Sequence, residues 1–343
     1  MKMKRVWQVA FLLFLIVGTV LIIRHQCNMP YQQNSGMVFG TVYNITYQCD
    51  RDLQPLIEEE LQKVDRALSM FNEQSVISRI NRGEYKSEDT EESRMFLDVC
   101  QLAMEISEDT EGAFDITVAP LVNLWGFGFK NDVQPSTNAI DSIRQFVGYQ
   151  KLSVDAKAHA VKKQDPRIML DCSAIAKGYG SDVVAALLRR NNVENYMVEI
   201  GGEIVTKGVN PKRLPWRIGV TKPVDDSLNI GNETQTVLNV TDKAMATSGN
   251  YRNFYYKGGR KYAHTINPKT GSPVQHSLLS ATVIARNCAV ADAYATAFMV
   301  LGMEGAKKVL ERHDDLMAYL IFTDGKGDLD VWFSPSLKSK ISE

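Results

Sequence analysis

LDCSAIAKGYG, residues 170–180, leads from an apolar approach through a carboxylate (Asp171), small residues (Ser173, Ala174), a lysine (Lys177) and two glycines into a helix predicted over Asp182–Arg190. Gly178-Tyr-Gly180 is two thirds of a dinucleotide fingerprint, but Val183 stands at the third glycine position and the flanking order is wrong for it. A Rossmann reading is therefore set aside. A Gly-containing turn that delivers backbone N–H groups to a helix start, with a lysine adding charge, has the makings of a phosphate site. The same residues equally suit a plain strand–turn–helix junction with a surface lysine.

Outward from this segment, elements alternate without βαβ regularity. Val38–Tyr47 (VFGTVYNITY) is rich in β-branched and aromatic residues and predicts a strand. Leu53, Ile57, Leu61, Val64 and Leu68 recur at helical spacing within Leu53–Phe71. A second helix is predicted over about Thr90–Ser107, with acidic residues in its first turn and Gly112 beyond its end. After an irregular aromatic-rich stretch (Phe114–Phe129), strands and short helices alternate. They close with a helix near Glu304–Arg312, a strand over Met317–Phe322, a turn at Asp324-Gly325 and a strand over Leu329–Phe333. A hairpin turning at Gly258-Gly259 favours an α+β fold with antiparallel sheets and packed helices.

The 343 residues carry a formal net charge of −1, which removes the global basic field expected of a nucleic-acid binder. Lys2, Lys4 and Arg5 precede an apolar run over Val6–Ile23, at the short end of what spans a bilayer. The basic flank predicts a cytoplasmic N-terminus, and the length of the run, with no small-x-small site after it, favours an uncleaved signal anchor over a cleaved signal peptide. Arg24, His25 and Gln26 stand where a lipoprotein site at Cys27 would need small and apolar residues. This divides the chain into a membrane segment (1–27), a polar linker (28–36) and a folded domain (37–338). Five widely spaced cysteines, with no CxxC, exclude a complete disulfide framework and predict buried free thiols.

Four further segments can carry chemistry. In ADAYATAF (Ala291–Phe298), Asp292 and Thr296 lie four apart and share one helix face. One carboxylate and one hydroxyl suit Mg²⁺, which takes few protein ligands beside substrate phosphates; they equally suit helix packing. In AHTINPKTGSPV (Ala263–Val274), a strand carrying His264 and Ile266 enters an Asn-Pro-Lys-Thr-Gly turn, and such a histidine is either structural or catalytic. EIGGEI (Glu199–Ile204) and TSGNYRNFY (Thr247–Tyr255) put glycines where backbone can approach a flat ligand.

Taken in order, FGTVYNITY, FDITVAPLVNLWGFG, LDCSAIAKGYGSD, YMVEIGGEI, MATSGNYRNFY, HTINPKTGSPV and ADAYATAFMVLG resemble the FAD:protein FMN transferase (ApbE) family over Phe39–Gly302. The resemblance implies a compact, T-fold-related α+β domain that takes FAD as substrate and Mg²⁺ as cofactor. It implies transfer of FMN to a Thr or Ser hydroxyl of an acceptor protein, with release of AMP. By position, Phe39, Phe71, Ala113, Phe114, Asp115, Asp171, Lys177 and Ile266 fall where the family contacts FAD. The Ala174 carbonyl, Asp292 and Thr296 fall on the metal, and His264 and Asp292 on the catalytic positions. Phe39 replaces the usual Met before Gly-Thr, and Asn267-Pro268 replaces the usual Asp-Pro. Implied acceptors are proteins of membrane redox complexes, of the sodium-pumping quinone reductase type or related to it. The expected location is the extracytoplasmic (periplasmic) side of a bacterial inner membrane. FAD hydrolysis to FMN and AMP, or FAD binding without cleavage, are the alternatives.

Overall fold

A computed structural model describes residues 7–8, 10–20, 29–128, 135–155, 157–223, 233–251, 254–257 and 260–342. Eight strands make the central sheet: β1 (Tyr31–Val38), β2 (Thr41–Gln48), β3 (Tyr196–Ile200), β4 (Glu203–Lys207), β5 (Ala244–Gly249), β6 (Leu278–Ala285), β7 (Met317–Thr323) and β8 (Leu329–Phe333). Sheet order follows chain order, and every neighbouring pair is antiparallel. The α+β reading holds, because no crossover makes parallel neighbours in this sheet. The strands Phe254–Lys257 and Arg260–Ala263 pair as the predicted hairpin, while its turn, Gly258-Gly259, lies outside the described residues.

Long excursions between strands supply four main helices: α1 (Gln54–Leu68), α2 (Glu91–Asp109), α3 (Ser173–Arg190) and α4 (Cys288–Leu310). In α1 the predicted stripe of Ile57, Leu61, Val64 and Leu68 is the buried face. Thr90 caps α2 by accepting a hydrogen bond from the Ser93 N–H, which satisfies one orphan donor of the first turn. One core lies between α2, α3, α4 and the sheet, and a second between α1, α3, β2 and β3. The opposite sheet face is covered by a smaller sheet of Arg217–Thr221, Thr234–Asn239 and Ile341–Ser342. Strand β6 therefore meets protein on both sides: Ala281, Val283 and Ala285 face the helices and Ile284 the smaller sheet. Its near-continuous burial, which takes in Ser280 and Thr282 as well as the apolar residues, follows from that double cover.

The linker expected over 28–36 is corrected, because Tyr31–Gly36 belong to β1, paired with β2 from Tyr31↔Gln48 to Val38↔Thr41. The single strand expected over Val38–Tyr47 is accordingly a hairpin turning at Phe39-Gly40, where φ is 51° and 72°. Polar Gln32, Gln33, Asn34 and Ser35 conceal β1 because an edge strand needs little apolar surface. The expected last helix, Glu304–Arg312, is the end of α4, which breaks at Gly302 (φ 70°, ψ −175°). His276 Nε2 donates to the Met299 carbonyl at 2.8 Å beside that break, where the regular ladder is interrupted. Cys49, Cys100, Cys172 and Cys288 are buried and free, as expected.

Of the N-terminal apolar run, residues 10–20 are helical, and large side chains such as Phe11 and Phe14 are exposed. Among the described residues no helix is long and apolar enough to cross a membrane. Lys2, Lys4, Arg5, Val6 and residues 21–28, which include Cys27, lie outside them.

Candidate functional site

A cavity of about 980 Å³ opens where the first turns of α3 and the middle of α4 meet the ends of β4 and β5. That is the upper end of the size range of ligand pockets, roughly 300–1,000 Å³. Phe71, Ala113, Phe114, Asp115, Asp171, Ala174, Lys177, His264, Ile266, Asp292 and Thr296 all line it. Phe39 does not: it packs on α3, and a Cβ at Gly180 would stand 2.7 Å from its ring. The turn at Phe39-Gly40 directs that ring into the core rather than toward the cavity.

The helix predicted from Asp182 begins at Ser173, so Lys177, Gly178 and Gly180 lie within α3, not in a turn before it. Glycines in a helix interior lower its propensity by about 1 kcal/mol each relative to Ala, which hides it in the sequence. Close packing explains them. A Cβ at Gly178 would lie 2.4 Å from the Cys288 carbonyl oxygen. With that close crossing, the Gly178 N–H reaches Oδ2 of Asp292 at 3.0 Å, and Asp292 is 2% exposed. The Thr296 hydroxyl, one turn further along α4, lies 3.0 Å from that of Ser248 on β5.

Glu203, at the start of β4, was not singled out from the sequence. Its Oε1 lies 2.8 Å from Lys177 Nζ, while its buried Oε2 has no hydrogen-bond partner among the described residues. The signal was present in EIGGEI, a carboxylate just after two glycines. Gly201 turns with φ 63° and leaves room for Thr41 and the Lys177 stem, and it lines the cavity together with Gly202, where a Cβ would meet open space. Gly249 likewise accommodates the Tyr251 ring.

Burial alone would lower the Lys177 pKa, but the negative charges of Asp292 and Glu203 hold it above the ordinary lysine range. Burial pushes both carboxyls upward, against the pull of Lys177. One ammonium balances one carboxylate, so the second lacks a counter-charge, and a buried charge without one is costly. Among the described residues no group of three or more His, Cys, Asp or Glu side chains is placed to hold a metal. Asp292, Thr296, Ser248 and Ala174 line the cavity and bring oxygen donors to it, with the Lys177–Glu203 pair beside them. That set, short of one positive charge, fits a hard divalent cation that keeps water and substrate oxygens in its shell.

Asp115 and Asp171 differ from this pattern. Asp115 accepts from the Thr117 N–H (2.8 Å), the Thr117 hydroxyl (2.7 Å) and the Tyr149 N–H (2.8 Å), so its carboxylate holds the 113–117 strip in shape. Asp171 accepts from the Ser173 N–H at 2.8 Å and from its hydroxyl, ahead of α3. Burial raises the pKa of both. Phe71 is 84% exposed at the rim. His264 is at a bend between the strands Arg260–Ala263 and Ile266–Asn267, not within one strand as expected. Its ring meets the edge of Phe127, which stacks on Tyr255 at 5.2 Å, and Tyr255 stacks on Tyr262 at 5.4 Å. Phe127, from the aromatic-rich stretch of the sequence, thus joins Tyr255 and Tyr262 in a stack beside the histidine bend.

The model of the ApbE family matches residues 39–321. The FAD:protein FMN transferase of Vibrio cholerae is 37% identical over 321 residues, 91% of this chain and 94% of that protein. The protein of the same name from Escherichia coli K12 is 37% identical over 84% of this chain and 81% of its own length. The solved structure of the flavin transferase ApbE from Vibrio cholerae superposes with a TM-score of 0.80 at 36% identity, covering 91% of this chain and 99% of that one. The apbe protein of Thermotoga maritima gives 0.77 at 28% identity, over 92% and 100%. On both sequence and fold, the chain belongs to the ApbE family.

Proposed function

We propose that this protein transfers FMN from FAD to a Thr or Ser hydroxyl of another protein and releases AMP, with Mg²⁺ bound in the cavity. One observation carries the reading: a dinucleotide-sized cavity gathers Lys177, the oxygen donors of α3 and α4, the 113–115 strip and His264 from distant parts of the chain. The names of the relatives supply the substrate class.

The acceptor hydroxyl oxygen attacks the FMN-side phosphorus of FAD, the bond from that phosphorus to the bridging oxygen breaks, and AMP leaves with that oxygen. His264 takes the hydroxyl proton, a task suited to an imidazole nitrogen, which can accept a proton and return it. Lys177 offsets the charge that gathers on the pyrophosphate oxygens. Asp292, Thr296 and the Ala174 carbonyl would hold Mg²⁺, which supplies Lewis-acid stabilisation of those oxygens. Aromatic and backbone groups of the 113–115 strip, Phe71 and Ile266 orient the flavin end.

The basic flank, and the exposed apolar side chains on helical residues 10–20, support an anchor in the inner membrane with the folded domain outside the cytoplasm. Acceptors would then be subunits of membrane redox complexes with domains on that side. Incubation with FAD, Mg²⁺ and such an acceptor tests the reaction. Transfer gives AMP and in-gel flavin fluorescence on the acceptor; AMP with an unlabelled acceptor means hydrolysis, and no AMP means a binding protein.

A further inference from the structure

Helices α3 and α4 run antiparallel and are joined at successive turns. Asp182 Oδ1 accepts from the Cys288 N–H and Oδ2 from the Ala289 N–H, each at 2.9 Å. One turn along, the Gly178 N–H donates to Asp292. One turn further, Ala174 on α3 and Thr296 on α4 reach the cavity. The positions 182, 178 and 174 step by four along α3, while 288, 292 and 296 step by four along α4, so each set shares a helix face. We propose that Asp182, which does not line the cavity, is a positioning residue that sets the register between these helices and thereby aligns Asp292 and Thr296 with Ala174.

The physical basis is the two-point contact. First-turn N–H groups of a helix have no intrahelical acceptor, and the N-cap residue Asn287 makes no side-chain cap bond to them. The cap comes instead from the neighbouring helix. Two bonds of equal length leave the carboxylate no freedom to rotate. A slip of one residue, roughly 1.5 Å along the axis, would break both. Burial pushes the Asp182 carboxyl up to about 6. The fold thus keeps a charged group at this crossing although desolvation disfavours it, as expected of a group retained for geometry.

The inference rests on the divalent-cation reading above, and the test separates the two. Mn²⁺ binding by electron paramagnetic resonance, with FAD present, is measured for the wild type, Asp182→Asn and Cys288→Pro, with near-UV circular dichroism to follow folding. Asp182→Asn keeps one acceptor oxygen and turns an amide N–H toward a backbone N–H. Cys288→Pro removes one donor while leaving Asp182 intact. Proline is tolerated at the first helical position, and Asn287 already has the extended backbone (φ −126°, ψ 153°) that a residue before proline needs. Expected is a Mn²⁺ dissociation constant raised about tenfold in Asp182→Asn and less in Cys288→Pro, with FAD affinity changed less. Wild-type Mn²⁺ affinity in whichever variant folds overturns the positioning role alone. No Mn²⁺ bound by the wild type overturns the cation reading, and the positioning role with it.

Discussion

The backbone N–H of Gly178 donates to Oδ2 of Asp292 at 3.0 Å, across the crossing of two helices. In a regular helix that N–H bonds the carbonyl four residues back, here that of Ala174. Asp292 competes with Ala174 for one donor, which couples the carboxylate and the carbonyl proposed as metal ligands. Replacing Gly178 with Ala would bring a methyl to 2.4 Å from the Cys288 carbonyl oxygen and 2.9 Å from Ala289 Cα, both backbone atoms. Such overpacking should cost about 1–3 kcal/mol, less a helix-propensity gain of up to ~1 kcal/mol. Urea unfolding measures it; wild-type stability would mean that α3 and α4 part freely.

Asp292→Asn keeps size and a carbonyl oxygen but removes the negative charge. Thr296 and the Ala174 carbonyl are neutral and cannot replace it. Weaker Mg²⁺ binding and a severe loss of transfer are expected, with part of the rate restored at high Mg²⁺. Titration of Mg²⁺ against rate checks this. Equal half-saturating Mg²⁺ and similar rates in the two proteins would take Asp292 out of the site.

Replacing His264 with Ala should slow transfer by about 10²–10⁴-fold while FAD binding changes little, the loss expected of a general base. Single-turnover labelling of the acceptor separates the two quantities. An unchanged rate would leave His264 as a loop residue held by Phe127.

Lys177→Met tests the charge balance through stability. The Asp292 and Glu203 carboxyls already titrate above their ordinary values because of burial, and without the ammonium they titrate higher still. A folded-state pKa above the unfolded one means that the native state binds more protons, so stability falls as pH rises. The variant should therefore lose little near pH 4 and about 3–5 kcal/mol near pH 8, where each buried carboxyl must either hold a proton that the unfolded chain has released or ionise unpaired. A pH-independent loss in denaturant unfolding would contradict this.

A C-terminal periplasm-specific reporter should be active, and a cytoplasm-specific one silent. Deleting residues 2–23 should release the domain from the membrane fraction. Activity of the cytoplasmic reporter alone would reverse the topology.

Much of this was legible along the chain. The stripe in α1, the position of α2 and the strands ending at Phe333 follow from local spacing and propensity, which need no knowledge of the rest of the fold. Apart from Phe39, the residues that the family motifs marked line the cavity, because chemistry limits which residue types serve there. Elements whose stability comes from neighbours were hidden. The start of α3 is rich in glycines that stabilise only through contact with Cys288 and Phe39, and β1 is polar because it is an edge.

By itself the sequence determined the antiparallel α+β class, the helical faces and the family. Only the tertiary structure decided that Phe39 turns away from the cavity, that Glu203 joins Lys177, and that positions 174, 178 and 182 stand against 296, 292 and 288. Spacing along a helix fixes which side chains share a face. Which faces then meet, and in what register, depends on packing and hydrogen bonds between segments more than a hundred residues apart, and those energies have no local signature.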